Sequence, residues 1–135
     1  MKARSETKQF DAIIVGAGFS GLYMLYRARE QGLSALVIEA GTGVGGTWYW
    51  NRYPGACCDN ESVIYSYSFS AELEQEWPWT RRYPEQSEIL DYINHVAERF
   101  DLRRDIQFAT RVTEVVYDEA NYRWTISTDR DDRFS

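Results

Sequence analysis

The apolar positions along this chain change their period several times, and each change marks an element. Residues 10–15 hold a short apolar run, Phe10 and then Ala12-Ile13-Ile14-Val15, which reads as a buried strand. From residue 20 to 31, Leu22, Leu25 and Tyr26 fall on one helical face, and Gly32 supplies a C-terminal stop. A second apolar run at residues 34–38 reads as another strand. Strand, helix and strand in this order predict a parallel pair joined by a right-handed crossover. Further on, Ile89, Tyr92, Ile93, Val96, Ala97 and Phe100 form one stripe at helical spacing, with Pro84 and Glu85 suited to its start. Residues 106–109 predict a short strand. Strict alternation then follows. Thr113, Val115 and Tyr117 share a face, as do Tyr122, Trp124, Ile126 and Thr128, with a polar turn at 118–121 between them. This predicts an antiparallel hairpin. Residues 129–135 are a polar stretch holding Phe134, and the hairpin at 112–128 is expected to lack its third strand.

Residues 40–79 follow no period. They hold Gly41, Gly43, Gly45, Gly46, Pro54 and Gly55 among many Trp and Tyr residues. Loops of this length inside a compact domain are usually functional. Short helices are expected within it at 49–52 and 71–76. The fold class predicted is α/β and Rossmann-like: a parallel sheet core with an antiparallel excursion of the β-meander kind. One domain, residues 10–135, follows a flexible tail, residues 1–9.

Composition narrows the function. Aromatic residues make up 16% of the 135 residues, a share that serves a core, an interface or the walls of a flat cofactor. Net charge is −6, and the basic pairs Arg81-Arg82 and Arg103-Arg104 are too short for a nucleic-acid face. No run approaches the roughly 20 apolar residues of a membrane span. The polar N-terminus is unlike a secretory signal, so a cytoplasmic location is expected. Cys57 and Cys58 are adjacent, an arrangement poorly suited to a disulfide between them. The single histidine, His95, lies within a helical pattern, and no metal-binding set is expected.

The chemistry is concentrated between the first two strands. Gly16-Ala17-Gly18-Phe19-Ser20-Gly21 is a G-x-G-x-x-G triplet directly behind an apolar run, and Glu39 ends the second run. In that context Gly16 serves a tight turn, Gly18 a close approach to a pyrophosphate, and Gly21 the packing of the helix. The helix N-terminus offers free N–H groups to phosphate. A carboxylate at Glu39 accepts ribose hydroxyls and repels a 2′-phosphate, which suits FAD or NAD over NADP. The competing reading is a glycine-rich turn without a ligand. A second constellation, residues 45–55, places a glycine doublet before Thr47, Trp48 and Trp50. Gly46 would let backbone lie against a planar ligand walled by those rings; equally, the loop would simply cover the sheet. Asp59, just beyond, suits either the orientation of a cation or the capping of a turn.

Residues 45–59, then Glu61-Ser62 and Tyr65-Ser66-Tyr67-Ser68-Phe69, resemble the N-terminal part of Baeyer–Villiger monooxygenases. Trp77-Pro78-Trp79, Tyr83-Pro84-Glu85-Gln86 and Asp101-Leu102-Arg103-Arg104-Asp105-Ile106 extend the match, which runs from Asp11 onward. The resemblance implies an oxidoreductase with tightly held FAD, using NADPH and O₂ to turn ketones into esters or lactones. It implies that Gly16, Gly18, Phe19, Ser20 and Gly21 hold the pyrophosphate and Glu39 the adenosine ribose. Thr47, Trp48, Trp50 and Tyr65 would border the flavin, and the Val112 backbone would meet the adenine. Asp59 would be catalytic, orienting an arginine and the nicotinamide. Cys57 and Cys58 would lie on the NADPH path, although similar sequences carry Arg where Cys57 stands. The resemblance also implies a piece of a longer enzyme, with an incomplete FAD-binding domain, weak flavin retention and no turnover by itself. Two other readings are a non-catalytic FAD- or ADP-binding module, and a flavin monooxygenase that oxidises nitrogen or sulfur. The Trp48-Tyr49-Trp50-Asn51-Arg52-Tyr53-Pro54 run argues against the latter.

Overall fold

The computed structural model describes residues 7–135. Its first sheet is parallel and carries the crossover. Strand β1 (Ala12–Val15) pairs along its length with β2 (Ala35–Ile38), and helix α1 (Phe19–Glu30) connects them. Short β3 (Ile106–Gln107) pairs with the other edge of β2, giving the order β1-β2-β3. β2 is therefore the central strand, and Val37 and Ile38 on it are buried. α1 places Leu22, Leu25 and Ala28 in the core, while Tyr26 is only partly buried.

Helix α2 (Thr47–Trp50) is a single turn, α3 (Ala71–Glu76) is short, and α4 (Gln86–Arg99) is the long helix. The stripe of α4 behaves as its spacing predicts: Ile89, Tyr92, Ile93, Val96 and Ala97 are all buried. Ser70 caps α3 by accepting the Leu73 N–H at 3.2 Å. Arg29 near the end of α1 donates to the Asp105 carboxylate and to the carbonyl of Asp101 at 2.9 Å, tying α1 to the turn beyond α4. No helix among the described residues is long and apolar enough to cross a membrane.

The second sheet is antiparallel: β4 (Val112–Asp118), β5 (Arg123–Thr128) and β6 (Arg133–Phe134), in that order. Val115 faces Ile126 and Tyr117 faces Trp124, as the alternation predicts. The expected absence of a third strand is corrected by β6, which pairs Phe134 with Ile126. Phe134 is 1% exposed and packs with Ile38 and Ile126. A single apolar side chain pins this two-residue strand, which is too short for any alternation to show. Of the expected N-terminal tail, residues 1–6 lie outside the described residues. Lys8 donates its N–H to Arg133 at 3.2 Å and bridges Phe134, so pairing begins before residue 10.

Gly21 marks the tightest contact. A Cβ there would lie 1.9 Å from the Gly16 carbonyl oxygen, so the start of α1 rests directly on the turn that leaves β1. Gly21→Ala should lower stability by on the order of 1–3 kcal/mol, read as a reduced urea midpoint. An unchanged midpoint would show the contact to be loose. A second prediction concerns pH. Burial raises the Tyr92 phenol from its ordinary 10.0 to about 12 and pushes that of Tyr67 up as well. The unfolded chain then ionises first while the folded chain keeps its protons. Stability should fall as pH rises from roughly 10 towards 12. Urea melts across that window should show the fall, and Tyr92→Phe should make it shallower.

Candidate functional site

The site is built where β1 ends. Gly16 leaves the strand at φ 95°, a conformation that disfavours any side chain. Its N–H donates to the Ile38 carbonyl at 2.9 Å, which fixes the turn against β2. Gly18 then takes the N-cap position of α1, without a side-chain cap and with no acidic residue in the first turn. The opening N–H groups of the helix are thus left without side-chain acceptors and carry the positive end of its dipole.

Glu39 stands at the mouth of this turn. Its side chain is buried, 5% exposed, and one carboxylate oxygen accepts the Ala17 N–H at 2.7 Å. The other accepts the Gly41 N–H at 2.6 Å. Each oxygen retains a further lone pair for an incoming hydroxyl.

The opposite wall comes from the long irregular segment. Gly45 donates its N–H to the Ala17 carbonyl at 2.9 Å, which draws Gly46 in beside Gly18. A Cβ on Gly46 would approach the Gly18 Cα to 3.0 Å, so the two backbones lie in contact. α2 follows immediately. Trp48 is 8% exposed, and its ring Nε1–H donates to the Tyr65 hydroxyl at 3.1 Å. Phe19 meets Tyr65 edge to face at 5.1 Å and Tyr67 at 5.0 Å. The Tyr67 hydroxyl donates to the Phe19 carbonyl at 2.5 Å, and the Tyr92 hydroxyl on α4 accepts the Tyr67 N–H at 2.9 Å.

These parts enclose a cleft of about 310 Å³. Of the residues that the sequence singles out, Gly16, Gly18, Phe19, Ser20, Gly21, Thr47, Trp48 and Tyr65 line it. Glu39 and Gly46 do not line it; they meet the turn through the Glu39–Ala17 hydrogen bond and the Gly46–Gly18 contact. Trp50, Cys57, Cys58, Asp59 and Val112 are not among its lining. Trp50 is 58% exposed and lies over Gly41, 3.2 Å from the position of a Cβ there. Cys57 is exposed and its backbone pairs with Glu85; Cys58 is buried, and both are free thiols. Asp59 is exposed, with the Asn60 amide 3.4 Å away. Val112 opens β4 and packs near Ile38. Gly45, absent from the sequence-derived set, lines the cleft as well, and its place in the glycine doublet was the available signal. Tyr67 also escapes the sequence-derived set, because it acts through the Phe19 carbonyl 48 positions away.

The arrangement suits a diphosphate. A main-chain turn without side chains meets unpaired helix N–H groups, with a fixed carboxylate on one side and aromatic rings on the other. Comparison with known proteins agrees. Residues 14–93 match the NAD(P)-binding Rossmann-like domain family. A Baeyer–Villiger monooxygenase of Pseudooceanicola batsensis is 49% identical over 121 residues, which is 89% of this chain and 22% of that protein. A phenazine N-monooxygenase of Lysobacter antibioticus is 44% identical over 132 residues, 97% of this chain and 24% of that protein. A solved structure of oxidised steroid monooxygenase bound to NADP superimposes with a TM-score of 0.93 at 61% identity, over 94% of this chain and 24% of that one. The chain thus spans about a quarter of the length of the proteins it matches. It belongs to the NAD(P)-binding Rossmann-like domain family, and its homologues include Baeyer–Villiger monooxygenases.

Proposed function

We propose that this chain is the FAD-binding part of a Baeyer–Villiger monooxygenase that uses NADPH and O₂ to convert ketones into esters or lactones. The observation that carries the reading is the bare glycine turn with the Glu39 carboxylate at its mouth, 2.7 Å from the Ala17 nitrogen, opening onto the wall of Thr47, Trp48 and Tyr65. The glycine turn suits the diphosphate, and the aromatic wall suits the flavin half. Gly18, Phe19, Ser20 and Gly21 hold the pyrophosphate through backbone N–H groups, and Gly16, whose own N–H is taken by Ile38, supplies the turn. Glu39 takes the ribose hydroxyls, and the Val112 backbone meets the adenine. Thr47, Trp48 and Tyr65 border the flavin half, with the Gly46 backbone against it and Trp50 at the outer end of α2. When bound, FAD supplies the activation of oxygen after reduction by NADPH. The chain itself binds, orients and excludes water. Asp59, which is exposed, orients an arginine and the nicotinamide. Cys57 and Cys58 border that path, and the neutral Cys57 weakens the hold on NADPH. The nicotinamide-binding unit and most of the ketone pocket belong to the remaining length of the parent enzyme, which works in the cytoplasm. The names of the relatives support a ketone as substrate.

A second reading has one specific observation behind it. The relative named phenazine N-monooxygenase is 44% identical across nearly the whole chain. The segment is thus compatible with nitrogen oxidation as well.

The parent protein should purify yellow. Its NADPH consumption should rise with a cyclic or aryl ketone, and mass spectrometry should find the ester or lactone. A colourless protein that cannot be loaded with FAD would overturn the reading; an N-oxide formed from an aromatic amine, without ester from ketones, would select the second one. Asp59→Ala should slow oxygenation on the order of a hundredfold while the flavin absorbance is retained. Loss of flavin instead would give Asp59 a structural role.

A further inference from the structure

Helix α2 has an unusual support. It is one turn long, its N-cap Gly46 offers no side chain, and a helix end leaves carbonyls without intrahelical partners. The Trp48 carbonyl is one of these. Its donor comes from the first residue of α4: the Gln86 side-chain amide Nε2 donates to it across 38 positions of sequence. The backbone N–H of the same residue donates to the Ala56 carbonyl at 2.9 Å. Next to it, Cys57 pairs with Glu85, and Cys58 donates its N–H to Pro84 at 2.9 Å. One turn further along α4, Leu90 reaches Gly45; a Cβ on Gly45 would lie 2.7 Å from its Cδ1. The start of α4 therefore touches both the aromatic wall of the cleft and the segment that leads to Asp59.

We propose that Gln86 is a positioning residue for the flavin half of the site. Its amide fixes the Trp48 carbonyl, and with it the seat of the Trp48 ring against Tyr65; its N–H fixes the strand-like segment 56–58 ahead of Asp59. The inference rests on the FAD reading above. Gln86 makes no contact with the glycine turn or with Glu39, so the diphosphate and ribose end should not depend on it. A residue of this kind separates two ligands that share one end. FAD needs both halves of the cleft, whereas ADP needs only the turn and Glu39.

The experiment measures dissociation constants for FAD, by flavin fluorescence quenching, and for ADP, by calorimetry, in the purified protein and its variants. Gln86→Glu keeps the shape of the side chain and replaces the donor by an acceptor. It should weaken FAD about tenfold and leave ADP within about twofold, the scale of one lost hydrogen bond to a carbonyl facing an acceptor. Gln86→Lys retains a donor and should restore FAD affinity. Where Gln86→Glu does not fold, Gln86→Met removes the donor without adding charge and gives the same comparison. Unchanged FAD affinity in the donor-free variants overturns the proposal. So does an equal loss of FAD and ADP, which would mark a general loosening of the fold. If the unaltered protein binds neither ligand, the dinucleotide reading itself fails.

Discussion

The buried carboxylate of Glu39 is the contact on which the rest depends. A charge out of water is costly unless it is paired or hydrogen-bonded, and here two backbone N–H groups from two different loops accept that task. Ala17 comes from the turn after β1, and Gly41 from the start of the long segment after β2. The carboxylate therefore binds the glycine turn to the end of the central strand. The same neighbourhood is closed by main-chain bonds: Glu39 donates to Gln107 at 2.9 Å, Ala109 to Gly41 at 2.8 Å, and Thr110 to Glu39 at 3.0 Å. Because Gly45 also donates to Ala17, the loop folds back on the turn, and two glycine backbones meet where a ligand would enter. A side chain at Gly46 would crowd the Gly18 backbone and strain the loop, since Gly46 sits at φ 55°.

A second constraint comes from α4. The segment that contributes the aromatic wall has little regular structure, so its shape is borrowed. Tyr92, Trp77 and Trp79 pack together, with ring centroids 5.0 Å apart for Trp79 and Tyr92 and 5.6 Å for Trp77 and Tyr92. Tyr67 continues this lattice to Phe19, the first residue of α1. The Trp79 indole donates to Ser66 at 2.9 Å, and Ser62 donates its N–H to Arg82 at 2.7 Å. The aromatic richness of the chain thus has two uses. Several rings build the platform, and Trp48, Tyr65 and Phe19 line the cleft. Aromatic rings suit both, since they bury large areas while a hydroxyl or indole N–H still finds a partner.

The antiparallel sheet is attached from the other side. Phe134, Ile126 and Ile38 form a small core of their own, joined by Phe10 and Ile13. Val115, Tyr122 and Trp124 remain exposed, at 48%, 82% and 54%. They border a hollow of about 650 Å³ beside β1, which has neither the glycine turn nor the fixed carboxylate that gives the smaller cleft its chemistry.

The strands, α1, α4 and the paired faces of the hairpin were legible in the sequence, because periodicity is a local property that a core simply enforces. The glycine triplet and Glu39 were legible for the same reason: a tight turn and a strand end place their residues within a few positions. Helix α2 was expected at 49–52 and forms at Thr47–Trp50, since the backbone of Gly46 rather than a capping side chain starts it. What tertiary structure alone decided is the course of residues 40–79, the strand at Arg133–Phe134, the burial of Glu39 and the reach of Gln86 to Trp48. Each of these depends on donors, acceptors or apolar surface supplied from tens of residues away, and no local pattern records which partner a distant carbonyl will find.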